Sequence, residues 1–440
     1  MASRAAFLPP KVNPLVLGLA RRMLPAMFRG YAGGMEVRIS EGDLERLRAH
    51  KRQRVLLLPN HPTHYDPMVM IEVSSRLEED FLFVAAREVF DRDWGFHGWL
   101  LQRCGVYSLI RGAVDRESFA LTQKILQEGK NWLVIFIEGE VSMENDTVIP
   151  FEAGVLSLAL RSQHALAEGT SAGGETPPIH VGAVAMKTRY KPGVEGAITR
   201  AIAVLEERVG LGAADRRAAE RFESWEQLRS RIDRIGGAVL QAVEQAYLMT
   251  PAKGATVDER IDALRSRMLS KMESFLEIPT PPAGPRAPTL LDRVRTIRNK
   301  MDRIVHAYGE VAEAASAYER RQLELRRQAF VDFYADLGRL VNFLTLRGDY
   351  LATATPERFA EVVLRLEQEI LGKPRLVYPR TVDVQVGELV SLRDHLPAYA
   401  RDKKKTAAEL AERLEMEMTT LLRGAAASPI VPAGMVTAPV

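Results

Sequence analysis

From residue 34 to 190, short apolar runs alternate with stretches of helical periodicity. Met35–Ile39, Val55–Leu58, Phe81–Ala85, Val106–Ile110, Trp132–Ile137 and Ile179–Ala185 read as strands. Between them Glu41–Ala49, Pro67–Arg76, Trp94–Arg103, Arg116–Glu128 and Gly154–Leu166 read as helices, and Ala167–Pro178, rich in Gly, Thr, Ser and Pro, reads as a surface loop. Strands that alternate with helices predict an α/β fold, a mostly parallel or mixed sheet flanked by helices on both faces.

From about residue 197 the texture becomes long, charged and helical, divided by a proline-rich break at Ile278–Thr289. Beyond the break Leu291, Val294, Ile297, Met301 and Ile304 keep helical spacing, as do Phe330, Phe333, Leu337 and Leu340. Val382, Val384 and Val386 then alternate with Thr381, Asp383 and Gln385 to give one more strand, followed by a helix over Ala407–Leu422. A lone strand cannot satisfy its own backbone hydrogen bonds, so it is expected to rejoin the N-terminal sheet. The resulting organisation is an N-terminal amphipathic helical segment over 1–33 and an α/β domain over 34–196 and 377–424. A large all-helical insertion over 197–376 precedes the last strand, and a disordered tail is expected over 425–440.

Within Asn13–Arg29, Leu15, Leu19, Met23 and Met27, with Leu24 and Phe28, recur at helical spacing beside Arg21, Arg22 and Arg29. Two readings fit. The helix lies in a membrane interface with its arginines at headgroups, or it packs on its own domain and Pro25 kinks or ends it. The net charge of +3 gives no global polyanion signature, so no nucleic-acid partner is expected. The single cysteine, Cys104, excludes an intramolecular disulfide framework and Cys-rich zinc motifs, and it fits a reducing cytoplasm. No run is apolar enough to span a membrane and no secretory signal pattern is present, so the chain is expected to be soluble or peripheral.

The run most informative for chemistry is Leu58-Pro59-Asn60-His61-Pro62-Thr63-His64-Tyr65-Asp66-Pro67. It follows a buried strand, and Asp66-Pro67 suits a helix start. His61 is thereby placed on a loop at a strand's C-terminal end, where α/β folds commonly build active sites. Asp66, five residues on, can return to the imidazole, fix its tautomer and leave the other nitrogen to take a proton from a hydroxyl. The residues alone leave other readings open: Asp66 as a helix cap, His61 as a loop histidine, or His61, His64 and Asp66 as metal ligands. The last lacks the usual ligand spacing, and no metal is expected.

The run resembles the His-x4-Asp signature of the glycerolipid acyltransferases, the lysophosphatidic acid acyltransferase-like superfamily. Gly105-Val106-Tyr107-Ser108-Leu109-Ile110-Arg111 resembles the second block, whose arginine contacts the acceptor's phosphate. Phe136-Ile137-Glu138-Gly139 resembles the third, normally Phe-Pro-Glu-Gly followed by Thr-Arg-Ser, and Pro150-Phe151 with Gly154 matches the pattern downstream of it. Pro178-Ile179-His180-Val181 stands where the fourth block belongs, and Val384–Leu389 loosely resembles the family's last strand. The likeness covers about 35–190 and 378–422 and leaves the helical block outside. It departs at Ile137, where proline is usual, and at Glu140-Val141, where Thr-Arg is common. The missing arginine removes one expected phosphate ligand, and a carboxylate at Glu140 repels a phosphate unless something neutralises it.

The resemblance implies direct transfer of a fatty acyl group from acyl-CoA or acyl carrier protein, the co-substrate, to a hydroxyl of a glycerol phosphate, lysophospholipid or related lipid acceptor. His61 would be the base and Asp66 its orienting carboxylate, with Asn60, Arg111, Glu138, Gly139 and Glu140 contacting substrate. Backbone N–H groups near Glu138 and Gly139 would be candidates for the oxyanion site. No other cofactor is implied, and the expected place is the cytoplasm, peripheral to the inner face of the membrane. Simpler roles stand beside these: a surface ion pair for Arg111, a helix-capping carboxylate for Glu138, a loop or acceptor contact for His64. The basic clusters at Arg293–Arg303, Arg320–Arg327 and Lys403–Lys405 read as solvated helix faces, or as sites for anionic lipid or an acidic carrier. A catalytically inactive, lipid-binding or scaffolding relative is the alternative function. A serine hydrolase is disfavoured by the missing Gly-x-Ser-x-Gly elbow.

Overall fold

The computed structural model describes the chain apart from residues 1–6, 92, 111–114, 140, 152, 171–173, 213–218, 280–287, 343–349, 352–354 and 425–440. Eight strands form one mixed sheet: β1 (Met35–Ile39), β2 (Arg54–Pro59), β3 (Phe81–Ala86), β4 (Val106–Leu109), β5 (Trp132–Val134), β6 (Ile179–Tyr190), β7 (Arg380–Val386) and β8 (Val390–Ser391). Their order is β1-β7-β6-β2-β5-β3-β4, with β8 paired to β6 off this path. The run β6-β2-β5-β3-β4 is parallel, so the C-terminal ends of these strands share one edge. β7 runs antiparallel to β6 and parallel to β1.

The central strand β2 is buried on both faces, with Val55 to Leu58 at 1% exposure or less, and this is why it reads as an unbroken apolar run. Val55 and Leu57 enter a core that includes residues of α1 (Pro14–Arg29), α2 (Glu41–Arg48) and α3 (Asp66–Leu77). Leu56 and Leu58 enter the opposite core with α5 (Arg116–Glu128), α6 (Ala153–Glu168) and the C-terminal helix over Lys403–Gly424, here α14. Between α3 and α5 lies α4 (Phe96–Arg103), after two short 3₁₀ turns that replace the start of the predicted helix.

The helical insertion comprises α7 (Val194–Arg208), α8 (Trp225–Ala246), α9 (Val257–Phe275), α10 (Leu290–Ala314), α11 (Ala317–Asn342) and α12 (Pro356–Leu371), built around a third core of its own. The short helix α13 (Leu396–Arg401) links β8 to α14. The late strand seen in the sequence is β7, which enters between β1 and β6.

Two boundaries differ from expectation for physical reasons, and α1 keeps the expected one. β6 continues past Ala185 to Tyr190 because β7 pairs with its second half, Val184 to Tyr190. β5 stops at Val134; Ile135 still donates its N–H to the Leu57 carbonyl at 3.0 Å, and the chain turns at Ile137–Gly139. α1 runs through Pro25 to Arg29, and Asn13 caps it by accepting the N–H groups of Leu15 and Val16 at 3.0 and 3.1 Å.

Val384 is 2% exposed and stands between Ile39 of β1 and Met186 of β6. Val384→Asp places a charge in the sheet interior and is expected to cost more than about 4 kcal/mol, with urea denaturation as the measurement. Stability close to that of the parent would mean that β7 is not integral to the sheet.

Candidate active site

β2 delivers Asn60 and His61 to the C-terminal edge of the sheet. Asn60 is 1% exposed; its Nδ2 donates to the Met186 carbonyl at 3.1 Å, and its Oδ1 accepts the Met186 N–H at 2.7 Å. A side-chain amide offers the same donor and acceptor as a peptide, so Asn60 extends the pairing of β2 with β6 by one residue. That fixes the point where the chain leaves the sheet and His61 begins.

The loop then folds back on itself. The His61 Nδ1 lies 2.8 Å from Asp66 Oδ2, the same oxygen accepts the Thr63 N–H at 2.7 Å, and the Thr63 hydroxyl donates to Asp66 Oδ1 at 2.5 Å. The Asp66 side chain is 3% exposed and that of His61 16%. Asp66 is the first residue of α3, and its carboxylate turns back to the loop; the N-cap position belongs to Tyr65, which makes no side-chain capping bond. A buried carboxylate on Nδ1 fixes the imidazole tautomer and directs Nε2 outward as the proton acceptor. His64, within the same loop, is exposed.

The segment after β5 forms the other wall. The Phe136 ring stacks on His61, with centroids 4.2 Å apart and planes 27° apart. Gly139, at φ +73°, closes a tight turn by donating its N–H to the Phe136 carbonyl at 3.1 Å. Glu138 is fully buried, and its Oε2 accepts the His61 N–H at 3.3 Å. Burial pushes the Glu138 carboxyl up to about 8, opposed by the backbone N–H groups of His61 and Ile149 and reinforced by Asp66 and Glu144.

The insertion reaches this loop at two points. Arg295 of α10 donates from Nη2 to the carbonyls of Glu138 at 3.1 Å and Pro150 at 2.9 Å. Arg365 of α12, 1% exposed, pairs with Glu144 at 2.8 Å and donates to the Met143 carbonyl at 3.1 Å. The adjoining Ser142 N–H donates to the His61 carbonyl at 2.9 Å. Two further contacts hold the loop to α12: Glu361 accepts the Asn145 N–H at 2.9 Å, and Arg358 pairs with Asp146 at 3.1 Å.

Residues 38–186 match the Acyltransferase family model, and both His61 and the Phe136–Gly139 turn fall inside the match. Over this segment the chain is similar to the Acyltransferase family. Among curated proteins, no match to the chain is found.

Within this segment the structure brings together His61, Asp66, Glu138 and Gly139. Three expected substrate contacts take other forms. The Asn60 amide is taken up by β6. The Glu138 carboxyl is buried and accepts the His61 N–H, which fits the reading in which it orients the loop. The Gly139 N–H, a candidate oxyanion donor, is engaged by Phe136. Arg111 and Glu140 lie outside the described residues. Asp115 accepts the N–H groups of Ile110 and Ser118 at 2.9 and 3.0 Å. Arg295 and Arg365 escaped the sequence reading as site residues, and the only signal for Arg295 was its membership of a basic run.

Glu138 and Glu361, both raised to about 8 by burial, make stability depend on pH. A carboxyl whose folded value exceeds its unfolded one stabilises fully at low pH. That contribution is lost as pH rises from about 4.5 to 8, at roughly 1.4 kcal/mol per pH unit for each group. Urea midpoints at pH 5 and pH 8 are therefore expected to fall across this window in the parent and to fall less in Glu138→Gln. An equal fall in both would remove Glu138 from the account.

Proposed function

We propose that the protein moves a fatty acyl group from a thioester, acyl-CoA or acyl carrier protein, to a hydroxyl of a glycerol phosphate, lysophospholipid or related lipid acceptor. The observation that carries this reading is the 2.8 Å contact between His61 and the buried Asp66 at the sheet edge, within a domain of matching family. His61 Nε2 takes the acceptor's hydroxyl proton as that oxygen bonds to the thioester carbonyl carbon. The carbon–sulfur bond then breaks, and the leaving thiolate receives the proton from the imidazolium. Asp66 stabilises the imidazolium between the two steps. The donor is a co-substrate, and the transfer needs no redox cofactor.

A membrane-peripheral site of action, at the inner face in the cytoplasm, is part of the same proposal. No helix among the described residues is long and apolar enough to cross a membrane. The sequence's two readings of α1 are both represented in its faces. Leu17, Leu24 and Phe28 are buried, whereas Leu15, Leu19 and Met23 stand 84%, 59% and 49% exposed. Phe96 and Trp99 on the adjacent α4 are exposed too, and Lys11, Arg22 and Arg29 are exposed on or beside α1. An exposed apolar stripe with basic neighbours suits an anionic lipid surface. Arg21 is instead anchored inward, donating to Ser74 at 2.7 Å and Asp80 at 2.9 Å.

The test is thioester cleavage by the purified protein with liposomes, a set of acyl-CoA and acyl carrier protein donors and a mixture of lipid alcohols. Lipid-dependent thiol release with a new acylated lipid is expected, and His61→Ala is expected to lower it by at least about 100-fold. If no donor gave turnover while both proteins bound liposomes equally, the lipid-binding reading would replace the transferase.

A further inference from the structure

We propose that Arg295, contributed by the helical insertion, is a positioning residue of the acyl-transfer site, fixing the turn on which the His61 ring rests. The inference rests on the acyltransferase reading of that site. It starts from how firmly the arginine is placed. α10 begins with a reciprocal cap in which the Thr289 N–H donates to Asp292 Oδ2 at 2.9 Å and the Asp292 N–H donates to Thr289 Oγ1 at 3.1 Å. Val294 and Ile297, on either side of Arg295, are buried at 2% and 0% in the insertion's core. Arg293 is held by Glu273 through two bonds of 2.7 and 2.8 Å. The helix therefore presents Arg295 in one orientation.

Its guanidinium bridges the two ends of the loop that walls the site. Nη2 donates to the carbonyls of Glu138 at 3.1 Å and Pro150 at 2.9 Å, and on the far side the Phe151 N–H donates to Glu415 of α14 at 3.1 Å. The Glu138 carbonyl belongs to the same peptide as the Gly139 N–H, which donates to the Phe136 carbonyl at 3.1 Å. Both polar ends of that peptide are thus fixed, one by Arg295 and one by the turn. The turn then acts on His61 twice, through the stacked Phe136 ring and through Glu138 Oε2 on the His61 N–H. A charged, forked donor suits two carbonyls brought together from distant parts of a loop. The bond to Pro150 lies near solvent, so water can replace it without unfolding the chain. Losing Arg295 is expected to loosen the turn more than the fold.

The test compares Arg295→Met and Arg295→Lys with the parent in two measurements. One is steady-state acyl transfer. The other is the NMR titration of the His61 imidazole, assigned as the signal absent in His61→Gln. The groups that face this ring are Asp66 from α3 and Phe136 from the turn, while Glu138 meets the His61 backbone N–H. Arg295→Met is expected to lower kcat by about 10- to 100-fold, as displacement of a catalytic group does, and to leave the donor's KM within about 3-fold. It is also expected to shift the His61 titration, with Arg295→Lys recovering part of both effects. A parent-like kcat and titration in Arg295→Met would overturn the proposal. So would a lowered thermal midpoint with both site readouts unchanged, since that marks a merely structural arginine. If the parent itself transfers no acyl group, the acyltransferase reading fails on its own, and the His61 titration still decides whether Arg295 sets the ring.

Discussion

A carboxylate sealed from water must have its charge met by donors, and Asp66 is met by three: the His61 ring, the Thr63 N–H and the Thr63 hydroxyl. Each donor lies on the loop between β2 and α3, so one requirement folds that loop and orients the imidazole. The strand below and the helix above hold the two ends. Asn60 fixes where β2 ends, and the first turn of α3 fixes where Asp66 begins. The His61–Asp66 contact is therefore a consequence of solvation as much as of catalysis, and the chemistry proposed for it uses a geometry that folding already enforces.

The wall facing His61 has no comparable local solution. The described residues between β5 and α6 have little regular structure, and donors and acceptors from elsewhere restrain them. Arg295 and Arg365 come from the insertion, Glu361 accepts from it, and Glu415 comes from α14. The insertion has its own core, yet its edge is built into the candidate site through buried and half-buried arginines. A buried pair such as Arg365–Glu144 adds little net stability, but it penalises alternative loop positions strongly, because separating the partners leaves a buried charge unmatched.

Legibility followed the range of the interactions. The strands of the parallel core and the helices between them were readable because each follows from a local pattern, a short apolar run or a helical periodicity. The His61–Asp66 loop was readable for the same reason, since five residues enclose it. β8 was missed because two residues carry no periodic pattern, and the second half of β6 because its partner β7 lies some 190 residues later. Glu138 was read as orienting the acceptor or the loop; its contact with the His61 N–H spans 77 residues and leaves no local mark. The basic run from Arg293 to Arg303 looked like a solvated face. Arg293, Arg295 and Lys300 instead meet Glu273, two loop carbonyls and the Glu277 carbonyl, acceptors that lie 20 to 157 residues away in sequence and leave no local mark.

The central claim is that Asp66 makes His61 a base. It is tested most directly by Asp66→Asn, which keeps the shape of the side chain and removes its charge. Acyl transfer by this variant, with folding and liposome binding unchanged, is expected to fall by about 100-fold or more, as loss of an orienting carboxylate does. Transfer within about 2-fold of the parent would contradict the account, because an imidazole that works equally well beside a neutral amide does not owe its function to this contact.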